Sequence, residues 1–350
     1  MPTHAKLSYV LVTGGAGYIG SQTVIELLSK NYQVIVIDDL KNSCIESMNR
    51  VAQITGKRPL FRQISLLDKK ALYNLFEKFN IWAVIHFAGL KAVNESFDEP
   101  LRYYENNVVG SCNLLLAMRR EGCRNLVFSS SATVYGNLDE EEISENHFLH
   151  PISPYGRTKL MVELIIDDIC QSDPTMNAII LRYFNPIGAH PSGIIGENPL
   201  GPPNNLLPCI TQSLVKSKQL NVFGTDYPTK DGTAVRDYIH VVDLALGHLA
   251  ALEKLRVEKT GCVVYNMGNG RGYSVLEVIA CVDKVSGKRI EWKGIDRRPG
   301  DASKMIADPT KAYSELNWKP IHDLNDMCSS AWNWQKQNHK GLVSTLTFCN

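Results

Sequence analysis

Residues 13–20 read TGGAGYIG, and they directly follow an apolar run, residues 7–13, that has the pattern of a β-strand. Gly14, Gly17 and Gly20 allow the backbone to turn tightly here, and a helical pattern follows the turn. A glycine loop between a strand and a helix is typical of sites that bind the pyrophosphate of a dinucleotide, because the helix N-terminus offers free N–H groups and positive potential. The motif therefore predicts a dinucleotide site.

The second predicted strand indicates which dinucleotide binds. It ends at Asp38, and Asp39 follows directly. A carboxylate at the end of this strand can accept the hydroxyls of the adenosine ribose, and two adjacent carboxylates would repel a 2′-phosphate. The sequence therefore predicts NAD rather than NADP as the cofactor.

The first half of the chain alternates helical patterns with short, nearly continuous apolar runs at residues 7–13, 34–38, 83–87 and 126–129. Strands that are apolar on both faces are typical of a parallel sheet covered by helices. Asp68 can cap one such helix, in which Leu72, Leu75, Phe76 and Phe79 share a face. We therefore expect an α/β fold with a doubly wound, Rossmann-like parallel sheet.

Glycines and prolines become frequent after residue 190, and the alternation of strands and helices becomes less regular. We therefore expect two domains. Residues 1–190 would form the NAD-binding domain. Residues 191–350 would form mainly a smaller, mixed α/β substrate-binding lobe, with some of the chain returning to the first domain.

The composition excludes several classes of function. Lys and Arg number 37 and Asp and Glu 36 in 350 residues, so no general field attracts nucleic acid or an anionic membrane. No apolar run approaches the roughly 18 residues of a membrane span, and the first residues lack the pattern of a signal peptide. Nine cysteines without a Cys-x-x-Cys pair argue against a zinc site or a disulfide framework. We expect a cytoplasmic protein with no metal.

Two further motifs predict the chemistry. Tyr155 and Lys159 are four residues apart and would share one face of a helix. A nearby ammonium favours the phenolate form of a tyrosine, so the pair can act as a general base. Residues 128–136 read FSSSATVYG and follow a predicted strand at the edge where doubly wound folds bind ligands. A hydroxyl there can share the substrate proton with Tyr155.

Long motifs resemble the UDP-galactose 4-epimerases, members of the extended short-chain dehydrogenase/reductase family. They are residues 85–93 (IHFAGLKAV), 129–136 (SSSATVYG), 182–186 (RYFNP) and 235–241 (VRDYIHV). The resemblance extends from about residue 7 to residue 341. It implies reversible epimerisation of UDP-galactose and UDP-glucose at C4 through a transient 4-keto sugar and bound NAD, as part of galactose metabolism. It also implies a homodimer.

The resemblance assigns roles to individual residues. Tyr155 would be the base, Lys159 its partner and Ser131 the hydroxyl that bridges the proton. The implied cofactor contacts are Gly14, Gly17, Tyr18, Ile19, Asp38, Asp39, Asn42, Ser65, Leu66, Phe87, Lys91, Asn106, Tyr155, Lys159 and Tyr183. The implied substrate contacts are Ser131, Ala132, Thr133, Tyr183, Phe184, Asn185, Asn204, Asn205, Leu206, Asn221, Val222, Phe223, Arg236, Arg298, Asp301 and Met305.

A few positions depart from the family pattern. An acidic residue that binds the adenine amino group is usual at the place of Ser65, and asparagine is usual at the place of Asp39. Glycine is usual at the place of Asn94. Leucine and threonine are usual where this chain has Met267 and Asn269. These differences concern cofactor affinity more than the chemistry.

Two other functions are compatible with the same scaffold. Nucleotide-sugar 4,6-dehydratases and UDP-glucuronate decarboxylases carry acidic residues directly after the catalytic hydroxyl, where this chain has Ala132 and Thr133. A catalytically inactive NAD-sensing module would typically lack the Tyr155 and Lys159 pair. Binding of a dinucleotide without turnover would favour that alternative.

Overall fold

The computed structural model describes residues 7–138, 142–201, 203–298 and 301–342. Its main sheet has seven parallel strands in the spatial order β10-β6-β5-β4-β1-β2-β3. These strands are β1 (Tyr9–Thr13), β2 (Gln33–Asp38), β3 (Leu60–Gln63), β4 (Ile81–His86), β5 (Asn125–Ser131), β6 (Asn177–Tyr183) and β10 (Cys262–Met267). The four predicted strands are β1, β2, β4 and β5, and none of their ends differs from the predicted position by more than two residues.

Helices cover both faces of this sheet, which confirms the doubly wound α/β fold. These helices are α1 (Tyr18–Ser29), α2 (Glu46–Thr55), α3 (Lys69–Lys78), α4 (Val93–Asp98), α5 (Pro100–Tyr103), α6 (Gly110–Arg120), α7 (Pro154–Ser172) and α9 (Val241–Val257). A π-helix (Tyr104–Val109) joins α5 to α6. Asp68 caps α3 as predicted, because its carboxylate accepts a hydrogen bond of 2.9 Å from the Ala71 amide.

The apolar strands are explained by burial on both faces. Val10 and Val12 pack into a cluster with α1, α2 and α9, whereas Leu11 packs into a cluster with α3, α6 and α7. All three side chains are fully buried. Each fully buried aliphatic side chain contributes roughly 1.5–3 kcal/mol, so an alternating polar pattern in these strands would be strongly destabilising.

The second half of the chain adds two small sheets and a third apolar cluster. Strand β8 (Leu220–Phe223) pairs with β12 (Trp292–Ile295), and β9 (Val235–His240) pairs with β7 (Asn185–Ile187), β11 (Gly272–Ser274) and β13 (Lys304–Met305). The cluster packs between α8 (Leu206–Lys216), α10 (Val275–Ser286) and α12 (Leu324–Gln337). The short helix α11 (Thr310–Glu315) packs against the first cluster instead.

Part of the second half returns to the main sheet, since β10 pairs with β6 and α9 covers the same face as α1. The division near residue 190 stays a prediction, and residues 343–350 of the second predicted domain lie outside the described residues. Over the residues that are described, no helix has the length and apolarity needed to cross a membrane.

Candidate active site

The glycine loop lies between β1 and α1 and approaches the end of β4 closely. Gly14 has a φ of 68°, and a Cβ atom there would lie 2.6 Å from the Ala88 amide nitrogen. A Cβ atom on Gly20 would collide with the carbonyl oxygen of Gly14. Gly17 is the N-cap of α1 and has no side chain to cap the first turn. The loop therefore keeps the tight turn and the free helix N-terminus that a pyrophosphate requires.

Asp38, the last residue of β2, is hydrogen-bonded to this loop. Its carboxylate accepts hydrogen bonds from the Ala16 amide at 3.0 Å, the Leu40 amide at 3.0 Å and the Ser43 hydroxyl at 2.7 Å. Burial raises the pKa of Asp38, and these three hydrogen bonds act in the opposite direction. The donor set fits a dinucleotide: a fixed carboxylate stands beside a glycine loop and a helix N-terminus.

The other predicted cofactor residues differ in their surroundings. Asp39 pairs with Lys41 at 3.2 Å. The Ser65 hydroxyl accepts a hydrogen bond from the Leu67 amide at 3.3 Å, and Leu66 beside it is buried. Asn42 is exposed. These positions lie at the carboxyl ends of β2 and β3, the same sheet edge as the glycine loop.

Lys91 and Tyr18 connect the cofactor side to the second half of the chain. The Lys91 ammonium lies 3.1 Å from the Glu197 carboxylate, which also accepts a hydrogen bond of 2.6 Å from Asn205. The Tyr18 hydroxyl donates to the Gly188 carbonyl at 2.6 Å. A residue predicted to bind cofactor and one predicted to bind substrate therefore share one carboxylate. Glu197 is a residue that the sequence did not single out.

Tyr155, Lys159 and Ser131 meet at the carboxyl end of β5. Helix α7 begins after Ser153, whose hydroxyl accepts a hydrogen bond of 3.0 Å from the Gly156 amide. The cap sets the first turn of α7, so Tyr155 and Lys159 face the sheet and are both buried. Ser131 lies beside Tyr155, where its hydroxyl acts to lower the pKa of the phenol, and it accepts a hydrogen bond of 3.0 Å from the Thr133 hydroxyl.

Burial dominates the titration of both α7 residues. It raises the pKa of Tyr155 to about 12, and the hydrogen bond with Ser131 acts against this. It lowers the pKa of Lys159 to about 8, and the negative charge of Glu163 acts against this. The Lys159 ammonium donates to the Ser129 carbonyl at 2.7 Å and lies 6.0 Å from the centre of the Tyr155 ring.

Tyr183 and Phe87 share one supporting residue. The Tyr183 hydroxyl is hydrogen-bonded to Nε2 of His248, and the His248 ring lies 4.6 Å from the Phe87 ring, centre to centre. Burial lowers the pKa of His248 to about 4, so the imidazole is neutral. Its Nδ1 faces the Leu244 carbonyl at 2.8 Å, which makes Nδ1 the protonated nitrogen and Nε2 the acceptor for Tyr183.

Predicted substrate residues of the second half come together in two pairs. Arg236 lies 3.6 Å from the Asp301 carboxylate, and the guanidinium carbon of Arg298 lies 3.9 Å from the centre of the Phe223 ring. Such a combination of cations, a carboxylate and an aromatic face suits a nucleoside diphosphate. Pro299 and Gly300, which separate Arg298 from Asp301, lie outside the described residues.

The remaining predicted substrate residues lie on or next to β7, β8, β13 and α8. Met305 pairs with Arg236 across β13 and β9 and packs against a cluster that contains Ala132 and Phe184. Asn185 begins β7, Asn205 is the N-cap of α8, and Leu206 is the first residue of α8. Val222 is buried, whereas Asn204 and Asn221 are exposed.

The sequence analysis missed several buried polar residues around the site. Asn107 joins the Leu90 backbone to Thr158 of α7, although Asn106 was the residue predicted. Asp237 accepts three backbone amide hydrogen bonds, and burial raises its pKa to about 7. Glu163 and Arg182 form a buried ion pair. Arg182 and Asp237 lie inside motifs that carry the resemblance, whereas Asn107 and Glu163 lie outside those motifs.

Known proteins resemble this chain over nearly its whole length. A family model described as GDP-mannose 4,6 dehydratase matches residues 11–331. The UDP-glucose 4-epimerase of Dictyostelium discoideum is 53% identical over 333 residues, which cover 95% of this chain and 97% of the relative. That of Bacillus subtilis (strain 168) is 53% identical over 336 residues, which cover 96% and 99%.

A solved structure extends the similarity to three dimensions. UDP-glucose 4-epimerase from Bifidobacterium longum, in complex with NAD+ and UDP, has a TM-score of 0.92 at 46% sequence identity. The match covers 95% of this chain and 99% of that chain.

Proposed function

Because the chain belongs to the family of the matched model and, within it, to the UDP-glucose 4-epimerases, we propose that it interconverts UDP-galactose and UDP-glucose at C4 of the hexose. The reaction depends on NAD. The observation that carries this proposal is the meeting of Ser131, Tyr155 and Lys159 at the sheet edge that also holds the glycine loop and Asp38.

NAD would be held by the glycine loop, by Asp38 at the adenosine ribose and by the surroundings of Tyr183 and Phe87 at the other end. When bound, NAD supplies reversible hydride transfer at C4. The chain itself binds and orients the reactants and moves the proton.

The proton at the C4 hydroxyl is handled by Tyr155. A phenol with a pKa near 12 is almost entirely protonated at neutral pH, so formation of the phenolate needs stabilisation by positive charge. The Lys159 ammonium, 6.0 Å from the Tyr155 ring centre, provides such a charge. Ser131 provides a hydroxyl through which the proton can pass between the sugar and Tyr155.

The UDP moiety would be gripped by Arg236, Arg298 and Asp301. Two guanidiniums can donate paired, charge-assisted hydrogen bonds to a diphosphate. The aromatic face of Phe223, already covered by Arg298, borders the place of the base. Firm binding of UDP leaves the hexose free to present either face of C4 to the cofactor.

Met305 would border the hexose. Its packing beside Ala132 and Phe184 supports this position, as does its pairing with Arg236. Methionine fills space with an unbranched, adaptable side chain. UDP-galactose would therefore be the preferred substrate, and UDP-N-acetylgalactosamine would be a poor one.

The assembly would be a homodimer formed by α4, α5 and α7. These helices pack on one another and expose Phe97, Leu101, Met161 and Leu164. Apolar surface of this kind is commonly buried between subunits. Sedimentation analysis should give the mass of two chains for the wild type and of one chain for Leu164→Glu, which places a charge in the contact.

The two lobes would divide near residue 190, with α9 and β10 belonging to the NAD-binding lobe. We expect the enzyme in the cytoplasm, and the free thiols of all the cysteines in the described ranges support a reducing compartment. Fractionation of cells that express the tagged chain would test this location.

A dehydratase on the same scaffold is the second candidate, because the matched model carries that description. Ala132 and Thr133 offer no carboxylate directly after Ser131, which speaks against proton transfer at C5 and C6. Incubation with UDP-galactose, followed by NMR of the sugar, separates the two functions. Epimerisation gives UDP-glucose, whereas dehydration gives a 4-keto-6-deoxy sugar.

A further inference from the structure

A buried carboxylate lies directly behind the three residues assigned to the chemistry. Glu163 accepts hydrogen bonds from the Ser130 hydroxyl and, at 2.6–3.2 Å, from the Arg182 guanidinium. The side chains of Glu163 and Arg182 are only 5% and 4% exposed. The pair is therefore almost completely removed from water.

Ser130 connects this ion pair to the residues of the site, because it lies in β5 between Ser129 and Ser131. The Ser129 carbonyl accepts a hydrogen bond from Lys159, the Ser130 hydroxyl donates to Glu163, and Ser131 lies beside Tyr155, whose pKa it acts to lower. Three consecutive residues of one strand therefore contact three residues of α7. Glu163 follows Lys159 by one helical turn, so the carboxylate lies on the same side of α7.

Arg182 fixes the carboxylate from the neighbouring strand. Ser130 and Arg182 are partners in the register of β5 and β6, so both side chains face α7. Arg182 also donates to the Tyr135 hydroxyl at 3.0 Å, and Tyr135 donates to Asn266 at 2.7 Å. The carboxylate is thus held by two strands and a helix at once.

A buried ion pair is rarely the most stable solution, because apolar residues of the same volume are often as stabilising. Stability alone therefore does not explain why this ion pair lies next to Tyr155, Lys159 and Ser131. We propose that Glu163 is a positioning residue, which locks the carboxyl end of β5 against α7 and keeps Lys159 charged beside Tyr155. This inference rests on the proposed function.

The charge state of Lys159 depends on groups from several elements. His86 of β4 and Tyr155 and Glu163 of α7 surround it, and the Ser129 carbonyl of β5 accepts a hydrogen bond from it. His86 is neutral, since burial lowers its pKa to about 3. Glu163 is the anion that opposes the effect of burial on Lys159. Loss of its charge should therefore lower the pKa of Lys159 further.

Three variants separate positioning from plain stability. Glu163→Gln removes the charge and leaves Arg182 unpaired. The double variant Glu163→Gln with Arg182→Met removes both charges. Ser130→Ala cuts only the link between Glu163 and β5. Glu258→Gln is the matched control, because it breaks a surface ion pair with Lys254 at the end of α9.

The measurements use the holoenzyme, with turnover normalised to folded protein. Glu163→Gln should lower kcat roughly 10–100-fold while KM for UDP-galactose stays within about threefold, because the loss is one of geometry and charge at the reacting end. The alkaline limb of the kcat profile should move to lower pH. NMR of the Lys159 Nζ should show the same movement of its midpoint, without reference to any substrate.

The double variant should regain thermal stability but not kcat, since the unpaired guanidinium is gone while Lys159 still lacks its anionic neighbour. Ser130→Ala should lower kcat in the same direction by a smaller factor, and Glu258→Gln should behave as wild type. The inference is overturned if the Lys159 midpoint is unchanged in Glu163→Gln. It is also overturned if folded Ser130→Ala or the double variant has wild-type kcat. Absence of turnover in the wild type would instead refute the proposed function, and the NMR midpoint would still decide the inference.

Discussion

The Lys159 ammonium lies 6.0 Å from the centre of the Tyr155 ring, and burial lowers its pKa to about 8. The charge that supports the phenolate is therefore lost not far above neutral pH. We expect kcat to decline above pH 8 as Lys159 deprotonates, and Lys159→Met to be severely impaired at every pH. A pH profile of kcat measures this.

The same shift predicts an opposite trend for stability. In the unfolded chain Lys159 titrates near 10.5, so between about pH 8 and 10.5 the unfolded state binds more protons than the folded state. The contribution of Lys159 to the free energy of unfolding should therefore rise over this range, as kcat falls. The comparison is between wild type and Lys159→Met in denaturant titrations. If the difference in the free energy of unfolding between wild type and Lys159→Met rose toward neutral pH instead, the lowered pKa assigned to Lys159 would be wrong.

Met305 predicts the choice of sugar. Exclusion by a flexible side chain should cost about 1–3 kcal/mol, which corresponds to a preference of roughly 10–200-fold for UDP-galactose over UDP-N-acetylgalactosamine. Met305→Ser should raise kcat/KM for the N-acetylated sugar and leave the plain hexose almost unchanged, which serves as the internal control. An unaltered ratio of the two kcat/KM values would show that Met305 does not contact the hexose.

Ser65 predicts how firmly NAD is retained. Its hydroxyl accepts a hydrogen bond from the Leu67 amide, and the family resemblance implies an acidic residue at this position. Hydrogen bonds to charged groups contribute about 1.5–3 kcal/mol, against about 1 kcal/mol for neutral ones. Ser65→Asp should therefore carry more NAD through purification than wild type, whereas Ser314→Asp, on the exposed side of α11, should not. Equal or lower NAD content in Ser65→Asp would refute the prediction.

Removal of the Tyr227 hydroxyl should not destabilise the folded protein. Its buried hydroxyl has no hydrogen-bond partner among the residues that the structure describes, while Arg297 lies over its ring. An unsatisfied buried polar group costs about 1–3 kcal/mol. Tyr227→Phe should therefore unfold at the same or a higher temperature than wild type. The matched control is Tyr265→Phe, which loses a hydrogen bond of 2.7 Å to Glu315 and should be less stable. A lowered melting temperature for Tyr227→Phe would reveal a partner for this hydroxyl.

The features that could be predicted from the sequence depend on local patterns. The strands around Val10, Val84 and Val127 were visible as continuous apolar runs because both sheet faces are covered. The Asp68 cap was visible because a cap and its helix are adjacent in sequence. Gly14 was visible because its turn needs a positive φ and leaves no room for a Cβ atom.

The features that could not be predicted depend on contacts between distant segments. Glu163 meets Ser130 from 33 residues away and Arg182 from 19 residues away, and no periodicity reports such a pair. His248 reaches Tyr183 across 65 residues of sequence. A buried histidine on α9 has the pattern of any core position. Only the fold reveals that it supports a residue of the site.

We propose Tyr155 as the base of the epimerisation, and the activity of a Tyr155 variant measures this role. Conversion of UDP-galactose to UDP-glucose is followed for the wild type, Tyr155→Phe and the control Tyr73→Phe on α3, each with saturating NAD. Proton transfer by a positioned group contributes roughly 10²–10⁴-fold. Tyr155→Phe should lose activity by about that factor with nearly unchanged affinity for UDP, Ser131→Ala should be milder, and Tyr73→Phe should match the wild type. Near-normal turnover by Tyr155→Phe would show that Tyr155 is not the base.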